Sequence, residues 1–462
     1  YQRVQALLQE TPPTLPFATT PDIRARCRTL IKEAKAQGRE SLSHSETAQV
    51  LQAYGIPVAE SRYVATPEEG AAAAAAFEGA MALKVVHEGN CRPFRYRKHP
   101  HRLSAGLLQD LKTPEQVAEG VELLGQQVSE KYPAFQVREY CLQPMQRGKH
   151  SLQVCAGVTR DPIFGPVLVF GIGGYKVNIL ADRQVALPPL NMTLAEDMVE
   201  RTHVARLIHE HSRDPQRDME RLCELLVKLS QMASDLLELR GIEINPLLLN
   251  RDELVAVDFA MDLGTPARFA IMPYPEELRE WVTLKNGWEV EVRPIRAEDA
   301  PLITNFHRQL SEESIRFRYF HNKSDLTQRD LSMLSQINYD RQMAFIAEHL
   351  REDGSKEMLG VVRVWNDPDN IRTEFSVIIR DDLQGLGIGS LLMNKMIDYC
   401  KSVGTLEMIG KIMVDNHPMR ALMKHLGFKQ RYNMEEQVVD AVMRLNEPES
   451  EWQRHRLDSM PD

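Results

Sequence analysis

Paired cysteines, excess positive charge and long apolar runs are all missing from this chain. Its six cysteines, Cys27, Cys91, Cys141, Cys155, Cys223 and Cys400, include no C-x-x-C pair. Scattered cysteines argue for free thiols in a reducing compartment rather than a disulfide framework or a zinc site, and a cytoplasmic location is the expectation. Acidic residues outnumber basic ones, 65 to 56, for a net charge of −9. That balance argues against a general nucleic-acid binder. No apolar run approaches the length of a membrane span, so no membrane partner is expected. No internal repeat is visible. What is present is ordinary for folded domains: 43% hydrophobic and 26% charged residues over 462 positions. That length predicts two or three domains. The first residue is Tyr1 rather than Met, and the chain is expected to be part of a longer polypeptide.

Residues 1–40 read as a linker and a helix. Thr11-Pro12-Pro13-Thr14-Leu15-Pro16 is stiff and extended-leaning, and 23–36 has a helical pattern. From 41 to 272 helical and strand signals alternate. Ser43 and Glu46 have capping-box spacing before a helix over 48–54. Strands are expected at 61–65, 82–86, 135–141 and 151–158, with helices at 67–77 and 114–128. Residues 242–249 and 254–259 read as a hairpin. The expected class is α+β, with a mixed or antiparallel sheet. Residues 273–287 read as a linker carrying a short helix over 276–284. A second pattern fills 288–447, and 448–462 reads as a frayed tail.

The chemistry concentrates near Gln384-Gly385-Leu386-Gly387-Ile388-Gly389-Ser390. An apolar strand, 373–379, precedes this stretch, and a helix over 391–402 follows. Strand, glycine turn and helix together aim backbone N–H groups at an anion. Strand parity puts Glu374, Ser376 and Ile378 on one face and Phe375, Val377 and Ile379 on the other. Asn416 and Gly427-Phe428 follow downstream. These residues resemble the GNAT family of acetyl-CoA-dependent N-acetyltransferases over 288–447. The resemblance implies that amides of Gln384 to Ser390 hold the coenzyme A pyrophosphate, with Asn416 in the second cofactor motif. It implies that Val377 to Ile379 pair with the pantetheine. Glu374 becomes the candidate general base, because an acceptor ammonium must lose a proton before it attacks. Many relatives carry a tyrosine where this chain has Met423.

Lys84, within Ala82-Leu83-Lys84-Val85-Val86, reads either as a buried-type lysine that wants an anionic partner or as a strand-end lysine reaching solvent. Glu243-Ile244-Asn245-Pro246 precedes Val257-Asp258, and Gly171-Ile172-Gly173-Gly174 is a second glycine turn. These motifs resemble the ATP-grasp domain of ADP-forming acyl-CoA synthetases and succinyl-CoA synthetase β chains. The resemblance implies ATP and Mg²⁺ here, with Asn245 and Asp258 on the metal and Lys84 on the nucleotide. Three positions depart from the family pattern: His101-Arg102-Leu103, Ser151 and Lys176. Losing carboxylates weakens a site for a hard cation. The region is therefore expected to act as a sensing, docking or structural module.

An ATP-grasp region ahead of a GNAT domain resembles the bacterial Pat-type protein lysine acetyltransferases. The junction at Tyr274 to Trp281 and Leu284-Lys285-Asn286-Gly287 carries the same likeness. It implies a CoA-binding, synthetase-like half before Tyr1 and protein acceptors such as acyl-CoA synthetases. Three classes stay open: protein lysine acetylation, acetylation of a small amine, and an ADP-forming synthetase with a regulatory acetyltransferase domain. A homo-oligomer is also open.

Overall fold

The computed structural model describes residues 20–86, 106–131, 137–145, 151–174, 182–250, 253–267, 269–321, 325–448 and 450–458. The chain divides after Ala270 into two compact units.

In the first unit, helix Pro21–Ala36 starts on Thr20, whose hydroxyl accepts from the Ile23 N–H. Cys27, Ile31 and Ala34 are buried in the unit's main core, so this helix belongs to the unit and is not linker. Helix His44–Ala53 has the expected capping box between Ser43 and Glu46. Arg39 grips the same carboxylate with two bonds of 2.7 and 2.8 Å. The Arg39 bonds, working against partial burial, hold Glu46 down at about 2.

Two antiparallel sheets follow. One orders its strands Arg62–Val64, Tyr140–Pro144, Met81–Val85 and Leu107–Leu111. Helices Pro67–Ala74 and Pro114–Lys131 pack on it. The other runs Phe259–Leu263, Leu239–Leu249, Leu152–Asp161, Gly165–Ile172 and Arg183–Ala186, with Leu254–Ala256 paired separately to Leu239–Leu249. Helices Met192–Glu200, His203–His211 and Pro215–Asp235, absent from the sequence reading, pack against this sheet. The single strand expected over 254–259 is two short ones, broken at Val257 and Asp258. Pro246 opposite offers no N–H to a continuous ladder.

The second unit is built on eight strands in the order Glu280–Thr283, Glu289–Pro294, Gln342–Leu350, Lys356–Asn366, Arg372–Ile379, Glu407–Met413, Val438–Arg444 and Lys429–Asn433. Part of the segment read as a helical linker is the first of these strands. Only Glu276–Leu278 is helical there, as one 3-10 turn. Trp281-Val282-Thr283 favours a strand, and the Asn286-Gly287 turn folds it back on Glu289–Pro294. Helix Gln328–Ser335 and strand Lys429–Asn433 were also not anticipated. The expected frayed tail contains helix Glu451–Asp458, whose Leu457 is buried with Ile371 and Leu406.

Every pairing in this sheet is antiparallel except one. Arg372–Ile379 and Glu407–Met413 run parallel, connected through helix Ile388–Ser402. A parallel neighbour requires such a crossover. One face of the sheet packs on that helix through Phe345, Val362, Met393 and Met396. The other packs on helix Ala300–Arg308 through Ile303, Phe306 and Ile346. The described cysteines, Cys27, Cys141, Cys155, Cys223 and Cys400, are free and buried. Among the described residues, no helix is long and apolar enough to cross a membrane.

Candidate active site

The parallel pair is short. Arg372, Thr373 and Glu374 lie opposite Glu407, Met408 and Ile409, and there the ladder ends. Both strands continue, one to Ile379 and the other to Met413. The ring of Phe375, next after the last pair, sits over Gly410 and tilts against Phe428 at 5.1 Å. A cavity of about 740 Å³ opens where the strands part. Its lining includes every residue from Glu374 to Ile379, along with Ile412, Asp415, Asn416 and Leu422.

At one end the cavity reaches the glycine turn. Gly385 and Gly387 have φ of +86° and +91°, a region where a side chain is strained. Gly387 is the N-cap of helix Ile388–Ser402 and supplies no side-chain cap. The first-turn N–H groups of a helix so capped are open to an anion, and the helix dipole favours one. Gln384, Gly385, Gly387, Ile388, Gly389 and Ser390 all line the cavity; Leu386 packs on the core instead. Lys285 lines the same end, its chain 3.9 Å from where a Gly387 Cβ would lie. Asn416 caps helix His417–His425, its side-chain oxygen accepting from the Met419 N–H at 3.1 Å. Met423 is fully buried in the core and does not line the cavity.

Helix Glu312–Tyr319 bridges the parted strand ends. Asp381, beyond the first strand, accepts from Ser311 Oγ at 2.9 Å and Ser314 Oγ at 2.6 Å. Arg316 on the same helix donates to Asp415, beyond the second strand, at 2.6 Å. The helix thereby sets Phe317, Arg318 and Phe320 on the cavity wall. Glu374 is exposed to the cavity and lies across the ladder from Trp365. Lys411, on the second strand, bonds Glu436 and is pulled up by that contact and, more weakly, by Asp440 and Glu374.

In the first unit the structure brings Lys84, Asn245 and Asp258 to one place. Lys84 Nζ donates to Asp258 Oδ1 at 2.7 Å, to the Val257 carbonyl at 3.0 Å, and lies 3.0 Å from His44 Nε2. His44 stacks on Phe259 at 4.1 Å and bonds the Tyr63 hydroxyl at 2.7 Å. Desolvation opposes the charge on Asp258, but Lys84 and His44 hold its carboxyl well below the usual range. The Asn245 side-chain oxygen accepts from the Gly174 N–H at 2.8 Å. Both proposed metal oxygens are thus engaged by the protein. A hard divalent cation needs several such oxygens, and the lysine and His44 compete for one oxygen of Asp258. No cluster of three acidic, histidine or cysteine side chains that could hold a metal occurs among the described residues. The glycines at 171 and 173 are explained by packing. A Cβ at Gly171 would meet the Asp182 carbonyl at 1.7 Å, and one at Gly173 the Val154 carbonyl at 2.3 Å. His101, Arg102, Leu103 and Lys176 lie outside the described residues.

Comparison with known proteins agrees with this division. Residues 33–263, half of the chain, match the ATP-grasp domain family, and residues 289–429 match the GNAT acetyltransferase domain. The chain belongs to the ATP-grasp family and carries a GNAT acetyltransferase domain. The ATP-grasp part is 28% identical over 242 residues to the β subunit of an ADP-forming acetate–CoA ligase from Pyrococcus furiosus. That match covers 52% of this chain and 98% of the subunit. The GNAT part is 34% identical over 149 residues to an acetyltransferase of Pseudomonas aeruginosa, covering 32% of this chain and 80% of that protein. The solved GNAT domain of S. lividans PAT is 23% identical, with a TM-score of 0.35, covering 37% of this chain and all of that domain.

Within the GNAT domain, sequence reading missed Lys285, Arg318, Phe320, Trp365 and Lys411. Lys285 lies in the Leu284 to Gly287 stretch, which reads as junction and not as part of this site, and Arg318 sits in a stretch with no motif of its own. Only Trp365 had a signal, because a large aromatic directly precedes the Asn366 to Asn370 turn. In the ATP-grasp domain it missed His44, which the capping box at Ser43 explained without reference to Lys84.

Proposed function

We propose that this chain transfers the acetyl group of acetyl-CoA to lysine side chains of metabolic enzymes, acyl-CoA synthetases among them. The observation that carries the reading is Glu374, placed where two parallel strands part and at the mouth of a cavity that runs to the glycine turn. Amides of Gln384 to Ser390 would hold the pyrophosphate, with Lys285 adding positive charge. The unpaired edge of Val377 to Ile379 would bond the pantetheine and orient the thioester carbonyl. A free lysine has a pKa of about 10.4, so roughly one in a few thousand is neutral at pH 7. Glu374 takes the ammonium proton, directly or through one water. The neutral nitrogen then bonds the carbonyl carbon, the carbon–sulfur bond breaks with its electrons on sulfur, and the nitrogen's second proton passes through solvent to the thiolate, leaving the amide and free CoA thiol. Incubating the chain with acetyl-CoA and a soluble cell extract, followed by mass spectrometry of acetyl-lysine, tests the reading. Turnover of polyamines with no acetylated protein would replace it with small-amine acetylation.

A second reading is favoured by the match to nearly the full acetate–CoA ligase β subunit. The ATP-grasp part would then take part in ADP-forming acyl-CoA synthesis, with the GNAT domain regulating it. ADP produced from MgATP, acetate and CoA in the presence of this chain would establish it. The engaged side chains of Asn245 and Asp258 weigh against it.

A further inference from the structure

The face of strand Arg372–Ile379 that carries Glu374 holds more positive charge than its own groups balance. Arg318 lines the large cavity and also a small void of about 30 Å³ beneath it. Its guanidinium makes no hydrogen bond and no ion pair among the described residues. It lies over the rings of Tyr319 at 5.2 Å and Trp365 at 5.9 Å. Arg363 lines the same void and is buried. One Arg363 bond goes to the Leu334 carbonyl, a neutral acceptor, at 2.5 Å. Desolvation, and then repulsion from Arg318, depress Arg363 to about 9. Arg318 and Arg363 thus line one void, and Glu374 lines the cavity that Arg318 also reaches.

A second, independent group points the same way. Ser376 lies directly across the ladder from Arg363 and lines the large cavity. Its hydroxyl is buried and has no hydrogen-bond partner among the described residues. Buried polar groups are almost always paired, so this hydroxyl is short of a partner that a water, an ion or a ligand atom would supply. Arginine, with a rigid fork of five donors, matches a carboxylate or a phosphate with two parallel bonds. The glycine turn and Lys285, where a phosphate would sit, are at the other end of the cavity.

We infer that Arg318 and Ser376 form an acceptor subsite that binds a carboxylate a few bonds from the reacting amine. In a protein acceptor this is the side chain of an acidic residue beside the lysine. The inference rests on the proposed lysine acetylation at Glu374. It adds that acidic-flanked lysines are preferred over others. It also gives Arg318 a hydrogen-bonded counter-charge in addition to Glu374 on the same cavity wall.

The test uses the whole chain and two short peptides that differ only in a glutamate or a glutamine next to the lysine. The glutamate peptide should have a KM lower by about ten- to a hundredfold, the scale of one charge-assisted hydrogen bond. R318Q should collapse that ratio to near one. R318K should retain part of it, because the charge stays and the fork is lost. S376A, a smaller change that keeps the helix intact, should reduce it severalfold. A direct binding arm uses the same peptides with norleucine in place of lysine, titrated by calorimetry without acetyl-CoA. Equal affinity of the two norleucine peptides for the wild-type chain would overturn the inference. So would R318Q lowering kcat equally on both peptides with their KM ratio unchanged. A free lysine with its carboxylate intact outcompeting the glutamate peptide would overturn the protein source of the carboxylate. If the wild type acetylates neither peptide, lysine acetylation fails, while the norleucine arm still decides the subsite. Preference for succinyl-CoA over acetyl-CoA, lost in R318Q, would move the carboxylate to the donor and also overturn the inference.

Discussion

Glu374 and Ile409 form the last pair of the only parallel ladder in the GNAT sheet. Everything proposed for catalysis follows from that position. A carboxylate one residue earlier would face the opposite side of the sheet. One two residues later would sit within the cavity wall at Ser376, beside Arg363.

Glu374→Gln should cut kcat by about a hundredfold or more, the usual scale for a lost general base. Acetyl-CoA affinity should hold within about twofold, because the glycine turn is at the other end of the cavity. Steady-state kinetics with a lysine peptide, together with calorimetric titration of acetyl-CoA, separates the two. Near-normal turnover would remove Glu374 from the mechanism.

The glycine turn and Lys285 should act on the donor alone. Lys285→Met should raise KM for acetyl-CoA by roughly three- to tenfold, the worth of one exposed charge-assisted contact. It should also weaken the salt dependence of that KM, since exposed charges are screened. Gly387→Val forces a branched side chain to φ of +91°, where strain costs on the order of 1–3 kcal/mol. Its KM for acetyl-CoA should rise further, with peptide KM little moved. A rise in peptide KM alone would place the turn on the acceptor side instead.

The order strand, glycine turn and helix was legible because each part has a local cause: parity, positive φ and a helical run. The capping box at Ser43 was legible for the same reason, and the need of Lys84 for an anion was one of two readings open at that position. What escaped was set at long range. The pairing that makes Glu280–Thr283 a strand depends on a partner across a turn. Leu457 is held only because Ile371 and Leu406 meet it from distant segments. Arg318 was illegible because its meaning lies in what it fails to contact. The parting of the two strands was hidden too, since it depends on a ring at 375 meeting a glycine at 410.

Gly410→Ala tests that last contact. An added Cβ would stand 2.5–2.9 Å from three atoms of the Phe375 ring, which is buried and cannot simply swing away. Overpacking of this kind costs about 1–3 kcal/mol. The thermal midpoint of the GNAT domain should fall by several degrees. KM for acetyl-CoA should change as well, because the ring helps set where the strands part. An unchanged midpoint would mean that the ring does not set the parting.

Acid sensitivity of the GNAT domain should trace to a buried charge network. Glu348, Arg293 and Asp299 are each 4% exposed. Arg293 contacts Glu348 at 2.5 Å and Asp299 at 2.7 Å, and Lys356 reaches Glu348 at 2.7 Å. Desolvation pushes the Glu348 carboxyl up, but Arg293 and Lys356 outweigh it and hold it below its ordinary value. With the folded value depressed, the unfolded chain takes up the proton first as pH falls. The stabilisation is therefore complete above about pH 4.5 and is lost as pH drops through the folded value. Glu348→Gln should cost on the order of 3 kcal/mol at pH 7, since it strips one partner from a buried arginine. As pH falls from 7 through the depressed folded value the wild type loses the same charge, so the gap between the two proteins should be narrower at acid pH than at pH 7. Hydrogen exchange of the Gln342–Leu350 amides at both pH values reads this locally, without assuming that the whole chain unfolds in one step. A gap that stays constant with pH would show that Glu348 contributes through packing and not through its charge.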